Sequence, residues 1–266
     1  MLSEKPWRAE CVMLFCGAQF LCLCLGLTVA MLLRKAGVAG FKQPEDFGNL
    51  LFVTLSFQGA GWGLIWVFLR LHQTGWSAAI GWSGPKLRSA LFTAVKFILV
   101  ILPIVLLLQG ACVYLLQIFG WPPDDQAAVL LLLKAKAWWV TAYFGVFAVV
   151  IAPVAEEFIF RGMLFPFVKQ FRSQELVWLL RKCRLPRLAW FFRRRGWQVL
   201  SWFGVSALFA LIHMNLQTFL PLFVFALALT WLYEKTDNLL APITAHALFN
   251  ATNFALLLWQ KHPAHA

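Results

Sequence analysis

Charge is scarce in this chain, and negative charge scarcest. Of 266 residues only 13% are charged, with 11 Asp or Glu against 23 Lys or Arg. That share is about half what a soluble domain carries. With 61% hydrophobic residues, a soluble fold has too little polar surface to cover the rest, and lipid becomes the natural solvent. The six cysteines include no C-x-x-C pair, so neither a zinc knuckle nor a disulfide framework is suggested. Cys11, Cys16, Cys22, Cys24 and Cys112 fall in apolar stretches, where the thiol packs as a small apolar group, and Cys183 falls in a basic one. Also missing are a glycine-rich phosphate loop, a heptad seam, a fixed-period repeat and an H-E-x-x-H pair.

Long apolar runs are what the sequence has. A spanning helix needs about 20 mostly apolar residues. Seven segments approach or meet that: 11–33, 50–69, 97–120, 137–155, 197–216, 216–233 and 239–260. The expected fold is therefore all-α, a polytopic transmembrane helical bundle of seven spans. The short apolar run 127–133 gives eight as the alternative. The third run starts near Leu87, with Lys96 and Pro103 inside it, as a tilted or kinked helix would allow. The fourth continues past Ala155, and a tight turn must separate the fifth from the sixth near Asn215. The first run follows Lys5 and Arg8 but is longer than a signal-peptide core and lacks a small-residue cleavage site, so an uncleaved span is expected.

Positive charge is uneven. Nine Lys or Arg lie between Lys169 and Arg195, ending in Arg193-Arg194-Arg195. With seven spans, 15 of the 23 basic residues fall on the side that holds the N-terminus and this segment. The positive-inside rule then places both in the cytoplasm. Nucleic acid is not expected as a partner, because in a membrane protein such a cluster marks a cytoplasmic loop near anionic headgroups. The division anticipated is a variable transmembrane region over 1–136 and a catalytic transmembrane core over 137–260, with the basic cytoplasmic loop at 169–196.

Nine of the 11 acids flank spans or sit in loops; Glu156 and Glu157 stand together at the end of an uncharged run. Ionisable groups at membrane depth are costly and tend to be functional. Arg161 follows Glu157 by four positions, on the same helix face, which reads as an intrahelical ion pair. Glu156 lies about 100° round the helix with no partner in its own helix, and is the better candidate for a working carboxylate. Of the five histidines, His72 is in a loop and His262 and His265 are in the tail, whereas His213 and His246 lie in apolar spans. Asn215 follows His213; Asn250 follows His246 on one face, with Asn253 beyond. Glu and His together can hold and deprotonate a water, or bind a divalent metal that does so. A second His and an Asn can donate to an oxyanion. The inventory suits amide hydrolysis.

Three motifs then carry a resemblance. Residues 156–161 read E-E-x-x-x-R, 209–213 read F-x-x-x-H and 246–250 read H-x-x-x-N. Together and in this order they resemble the CPBP intramembrane proteases, which include type II CAAX prenyl endopeptidases and bacteriocin-processing and immunity proteins of the Abi kind. The resemblance covers roughly 137–259. It implies that Glu156 and His213 activate the attacking water, that His246 and Asn250 form the oxyanion site, and that Glu157, Arg161 and Phe209 shape it. It leaves the cofactor open. One possibility is a divalent metal, zinc before others, on Glu156, His213 and His246; the other is a metal-free reaction. The expected partners are the bilayer and a membrane-associated protein or peptide substrate. The location implied is a bacterial plasma membrane. A non-enzymatic scaffold or immunity protein of the same fold is the alternative, and a proton-relaying transporter ranks behind it, because the first three spans offer almost no polar groups.

Overall fold

The computed structural model describes residues 2–43, 46–82, 87–121, 127–135, 137–171 and 174–261. Lys86, Lys136, Arg172, His262 and His265 lie outside the described residues. The described residues contain helices and no strands. In chain order these are α1 (Ala9–Lys35), α2 (Phe47–Leu71), the short α3 (Trp76–Ile80), α4 (Leu87–Ile118), α5 (Ala127–Lys134), α6 (Trp138–Gln170), α7 (Gln174–Lys182), α8 (186–211), α9 (Leu216–Thr236) and α10 (Leu240–Lys261).

Five of them, α1, α2, α4, α6 and α9, are long and apolar enough to cross a membrane by length and composition. The expected count of seven is not reached on that measure, for a chemical reason. The other two anticipated segments are helical, but α8 begins among arginines and α10 carries His246, Asn250 and Asn253. The run behind the eight-span alternative is α5, whose eight residues reach only about 12 Å at 1.5 Å per residue. The anticipated basic loop is also different: it is largely α7 and the first turns of α8, joined at Arg184, whose φ is 57°. The arginines 193–195 lie inside α8 rather than before it.

Two apolar cores hold the bundle. In one, Ala90 and Ala94 of α4, Ala241 and Ala245 of α10, and Phe225 and Leu229 of α9 share a single buried cluster. Small residues spaced by four let helix backbones approach closely where no hydrophobic effect drives helices together. The other core surrounds α6, which buries Ala155, Phe158, Met163 and Phe165 against α1, α2, α8 and α9. The outer faces are apolar as well; Leu99 and Leu107 are 71% and 75% exposed. Lys96 rests its ammonium 4.2 Å from the Phe92 ring.

The long helices contain wide, π-type turns, at Leu55–Gly59 in α2 and at Phe147–Ile151 and Phe158–Leu164 in α6. Proline explains those in α6, since it lacks an N–H for the helix ladder. Ala152 N–H reaches back five residues to Phe147 O. The next donor in that register would be residue 153, a proline, so Ala148 O is left over and accepts from Asn250 Nδ2 at 2.8 Å. Gly162 O stands one α-turn before Pro166 and accepts from Trp7 Nε1 at 2.6 Å. In α2, Phe57 O accepts from Gln19 Nε2 at 2.6 Å. The two wide turns of α6 thus tie it to α10 and to the N-terminal segment through carbonyls freed from the ladder, whereas Phe57 O takes Gln19 in addition to Ala60 N.

The N-terminal segment closes one end of the bundle. Lys5 pairs with Asp237 at 3.1 Å, Ser3 Oγ donates to the same carboxylate at 2.9 Å, and Arg8 N donates to His72 Nε2 at 3.0 Å. Lys169 and Glu234 pair at the same end. Burial pushes the Asp237 carboxyl up, but the Ser3 and Lys5 donors more than offset it, leaving it below its ordinary 3.8. A group depressed by folding stabilises the fold above its unfolded value and ceases to as pH falls through the folded one. Asp237→Asn should therefore lower the melting temperature near neutrality, and the difference from wild type should shrink as pH falls through and below the ordinary carboxylate range. Separately, a Cβ at Gly26 would run into Ser56 Cβ where α1 crosses α2. Gly26→Leu should destabilise the detergent-solubilised protein by about 1–3 kcal/mol, read as a lowered unfolding midpoint.

Candidate active site

Between its two wide turns α6 keeps one short α-helical stretch, Ala152–Glu157, and this carries the acidic pair. The two carboxylates face different surroundings. Glu157 is fully buried, as is Arg161, which donates from Nη1 to Glu157 Oε1 at 2.9 Å and from Nη2 to Ala226 O of α9 at 3.1 Å. The guanidinium also lies 4.6 Å from the centre of the Phe209 ring on α8. Glu156 points instead into a cavity of about 450 Å³. There Gln58 Nε2 of α2 donates to its Oε1 at 3.2 Å.

His246 on α10 stands between the two acids. Its Nδ1 lies 2.8 Å from Glu157 Oε1, and its Nε2 lies 3.9 Å from Glu156 Oε2. A ring nitrogen facing a carboxylate oxygen at hydrogen-bond distance must carry the hydrogen, so Nδ1 is protonated and Nε2 is the working atom. The 3.9 Å gap is too long for a direct bond and short enough for one bridging water. Phe209 and Phe225 pack edge-on against the imidazole, with ring centres 5.8 and 5.7 Å away.

His213 was expected inside a span. α8 ends at Leu211, and His213 stands in the tight turn before α9, ahead of Met214 with φ 51°. It still reaches the cavity. Its Nδ1 lies 2.8 Å from Phe209 O, which fixes the hydrogen on Nδ1 and leaves Nε2 as the nitrogen without one. Asn215 has a different duty: it is the N-cap of α9, its Oδ1 accepting from Thr218 N at 3.1 Å. Asn250 lines the cavity while one of its amide hydrogens serves Ala148 O. Asn253 lines it too.

The structure thus brings Glu156, His213, His246 and Asn250 to one cavity, with Glu157, Arg161 and Phe209 behind them. Gln58 is the residue that the sequence reading missed. Its signal was present, a carboxamide inside the apolar segment 50–69, but its partner lies 98 positions away. A divalent centre needs three side-chain ligands at about 2 Å. Among the described residues no three His, Cys, Asp or Glu side chains converge that way. The set of Glu156, His213 and His246 is thus not drawn together as three ligands of one ion among the described residues, although Glu156 Oε2 and His246 Nε2 stand 3.9 Å apart.

The stretch that carries this arrangement can be placed. Residues 137–252 match the Rce1-like type II CAAX prenyl endopeptidase family. The Rce1-like match takes in α6 through most of α10, contains all three motifs, and is consistent with the CPBP resemblance. It leaves out α1, α2 and α4, and with them Gln58. Neither the curated proteins nor the solved structures give a match. The Rce1-like family is one of proteases, and the five apolar helices fit an integral membrane protein.

Arg161→Leu would remove the guanidinium from a buried carboxylate and leave it His246 alone, and breaking such a buried pair costs about 3–5 kcal/mol. Its unfolding midpoint should fall sharply, and adding Glu157→Leu should recover much of the loss, since the two sites are directly coupled.

Proposed function

We propose that this chain is an intramembrane endopeptidase that hydrolyses a peptide bond of a membrane-associated protein or peptide through a water activated by Glu156 and His213. One observation carries the reading. A carboxylate and an imidazole stand a water's width apart in a cavity, and a second imidazole lines that cavity with its Nδ1 held by Phe209 O.

The substrate carbonyl enters beside Asn250 and His246. Glu156 Oε2 takes a proton from the water between it and His246, and the resulting hydroxide attacks the carbonyl carbon. His213, held by Phe209 O, accepts the water's other hydrogen bond at Nε2 and orients it. Negative charge develops on the carbonyl oxygen. His246, when protonated on both nitrogens, donates from Nε2 to that oxygen, and the unused amide hydrogen of Asn250 donates beside it. Glu156 then returns its proton to the leaving amine as the C–N bond breaks. Charge balance favours this assignment. Two carboxylates and one guanidinium leave one negative charge, which an imidazolium cancels, and an uncompensated charge would be costly here.

The cavity walls are mostly apolar, with Phe144, Phe147, Phe249 and Phe254 among them. They suit a hydrophobic substrate segment. A prenylated C-terminus is the class that the Rce1-like description names. In this reading the N-terminal end and the basic segment 169–195 face the cytoplasm of a bacterial plasma membrane, as the positive-inside rule prefers.

The test is a farnesyl-cysteine peptide, internally quenched across its terminal bonds, offered to the full chain in proteoliposomes. Wild type should cleave it. Glu156→Ala and His213→Ala should each lower the rate by about 10²- to 10⁴-fold with unchanged membrane insertion. Comparing the membrane-protein termini of wild-type cells and Glu156→Ala cells identifies the natural substrate as a newly uncleaved end. Proteolysis that persists in Glu156→Ala removes the role given to this residue, and a partner that binds both variants undiminished while nothing is cleaved points to a scaffold.

A further inference from the structure

We propose that Gln58, on α2 and outside the stretch that matches the family, is a positioning residue for the catalytic carboxylate: its amide holds Glu156 Oε1 and so leaves Oε2 as the one oxygen that faces water and His246. The proposal rests on the reading of Glu156 as the base.

A carboxylate at the edge of an apolar cavity can rotate about its terminal bond, because that torsion is broad and two-fold. Either oxygen could then face the water, or neither. The geometry assigns the two oxygens separate partners. Oε1 accepts from Gln58 Nε2 at 3.2 Å, and Oε2 is the oxygen 3.9 Å from His246 Nε2. The amide donates and does not titrate, so it fixes the carboxylate without competing for the proton that the reaction moves.

Gln58 is itself held in place. It lies in the wide turn Leu55–Gly59 of α2. Gln19 of α1 donates from Nε2 to the carbonyl of the adjacent Phe57 at 2.6 Å. Gln19 is buried, with its amide beside Gly61 one turn on. The chain of support therefore runs from α1 through α2 to the acid on α6. Wide turns in helices recur at functional sites because they re-aim side chains, and this one aims an amide at a carboxylate.

The experiment uses Gln58→Met, which keeps the length of the side chain and removes the donor, and Gln58→Glu, which keeps the shape and removes the donor when ionised. Both are assayed as the full chain in proteoliposomes with the internally quenched peptide. The expected result is a fall in kcat of roughly tenfold or more, as for a lost hydrogen bond to a charged group. KM should stay within about twofold, since substrate binding is not what Gln58 serves, and the melting temperature should be that of wild type. A second readout needs no turnover: the carboxylate stretching band of Glu156, isolated by infrared difference against Glu156→Gln, should shift in Gln58→Met. Wild-type kcat in both Gln58 variants, alongside an inactive Glu156→Ala, would overturn the proposal and leave the protease reading standing. If wild type cleaves no peptide, the protease reading fails, and the infrared band alone decides whether Gln58 holds this oxygen.

Discussion

A guanidinium with no access to water must find its counter-charge and hydrogen bonds where it lies, and Arg161 finds them through its two Nη groups in a network that joins four helices. Its own helix supplies the Glu157 carboxylate, α9 supplies the Ala226 carbonyl and α8 supplies the face of Phe209. Through Glu157 the network continues to His246 on α10. A hydrocarbon interior offers no solvent to replace any of these partners, so the four helices are held in a single mutual arrangement. The position of His246, and with it the gap facing Glu156, follows from that arrangement.

The wide turns act on the same principle with weaker groups. In lipid, a carbonyl without a helical donor must find another one. Pro153 and Pro166 remove donors from α6, and the freed carbonyls of Ala148 and Gly162 recruit Asn250 from α10 and Trp7 from the N-terminal segment. In α2 the carbonyl of Phe57, which already accepts from Ala60 N, takes Gln19 as a second donor. Irregularity in one helix is thus converted into directional links between helices. These links add to the small-residue contacts of α4 with α10, which give proximity without direction. The acidic pair sits on the one regular stretch between two such turns, fixed at both ends.

Division of labour between two adjacent carboxylates follows from burial. Glu157 is wholly enclosed and committed to Arg161 and His246, so it is a fixed charge. Glu156 gives one oxygen to Gln58 and borders the cavity. The imidazole between them has each nitrogen assigned by geometry, one to structure and one to the site. Asn250 bridges α10 to α6 through Ala148 O and also lines the cavity.

What the sequence determined by itself is what depends on neighbours along the chain. Apolar run length marked the hydrophobic segments, and the i, i+4 spacing of Glu157 and Arg161 foretold their ion pair. The rarity of polar groups in apolar runs singled out Glu156, His213, His246 and Asn250. Local signals misjudged other features. Asn215 read as company for His213 and is a helix cap. His213 read as a helical residue and stands in a turn. The basic segment read as a loop and is largely helical, because arginines signal polarity more clearly than they signal backbone shape. Only the tertiary structure decided which distant groups meet. Gln58 reaches Glu156 across 98 positions and His246 reaches Glu157 across 89. Neither pairing leaves a periodic trace in the sequence. Each depends on which faces of separate helices pack together, and that is set by the whole bundle at once.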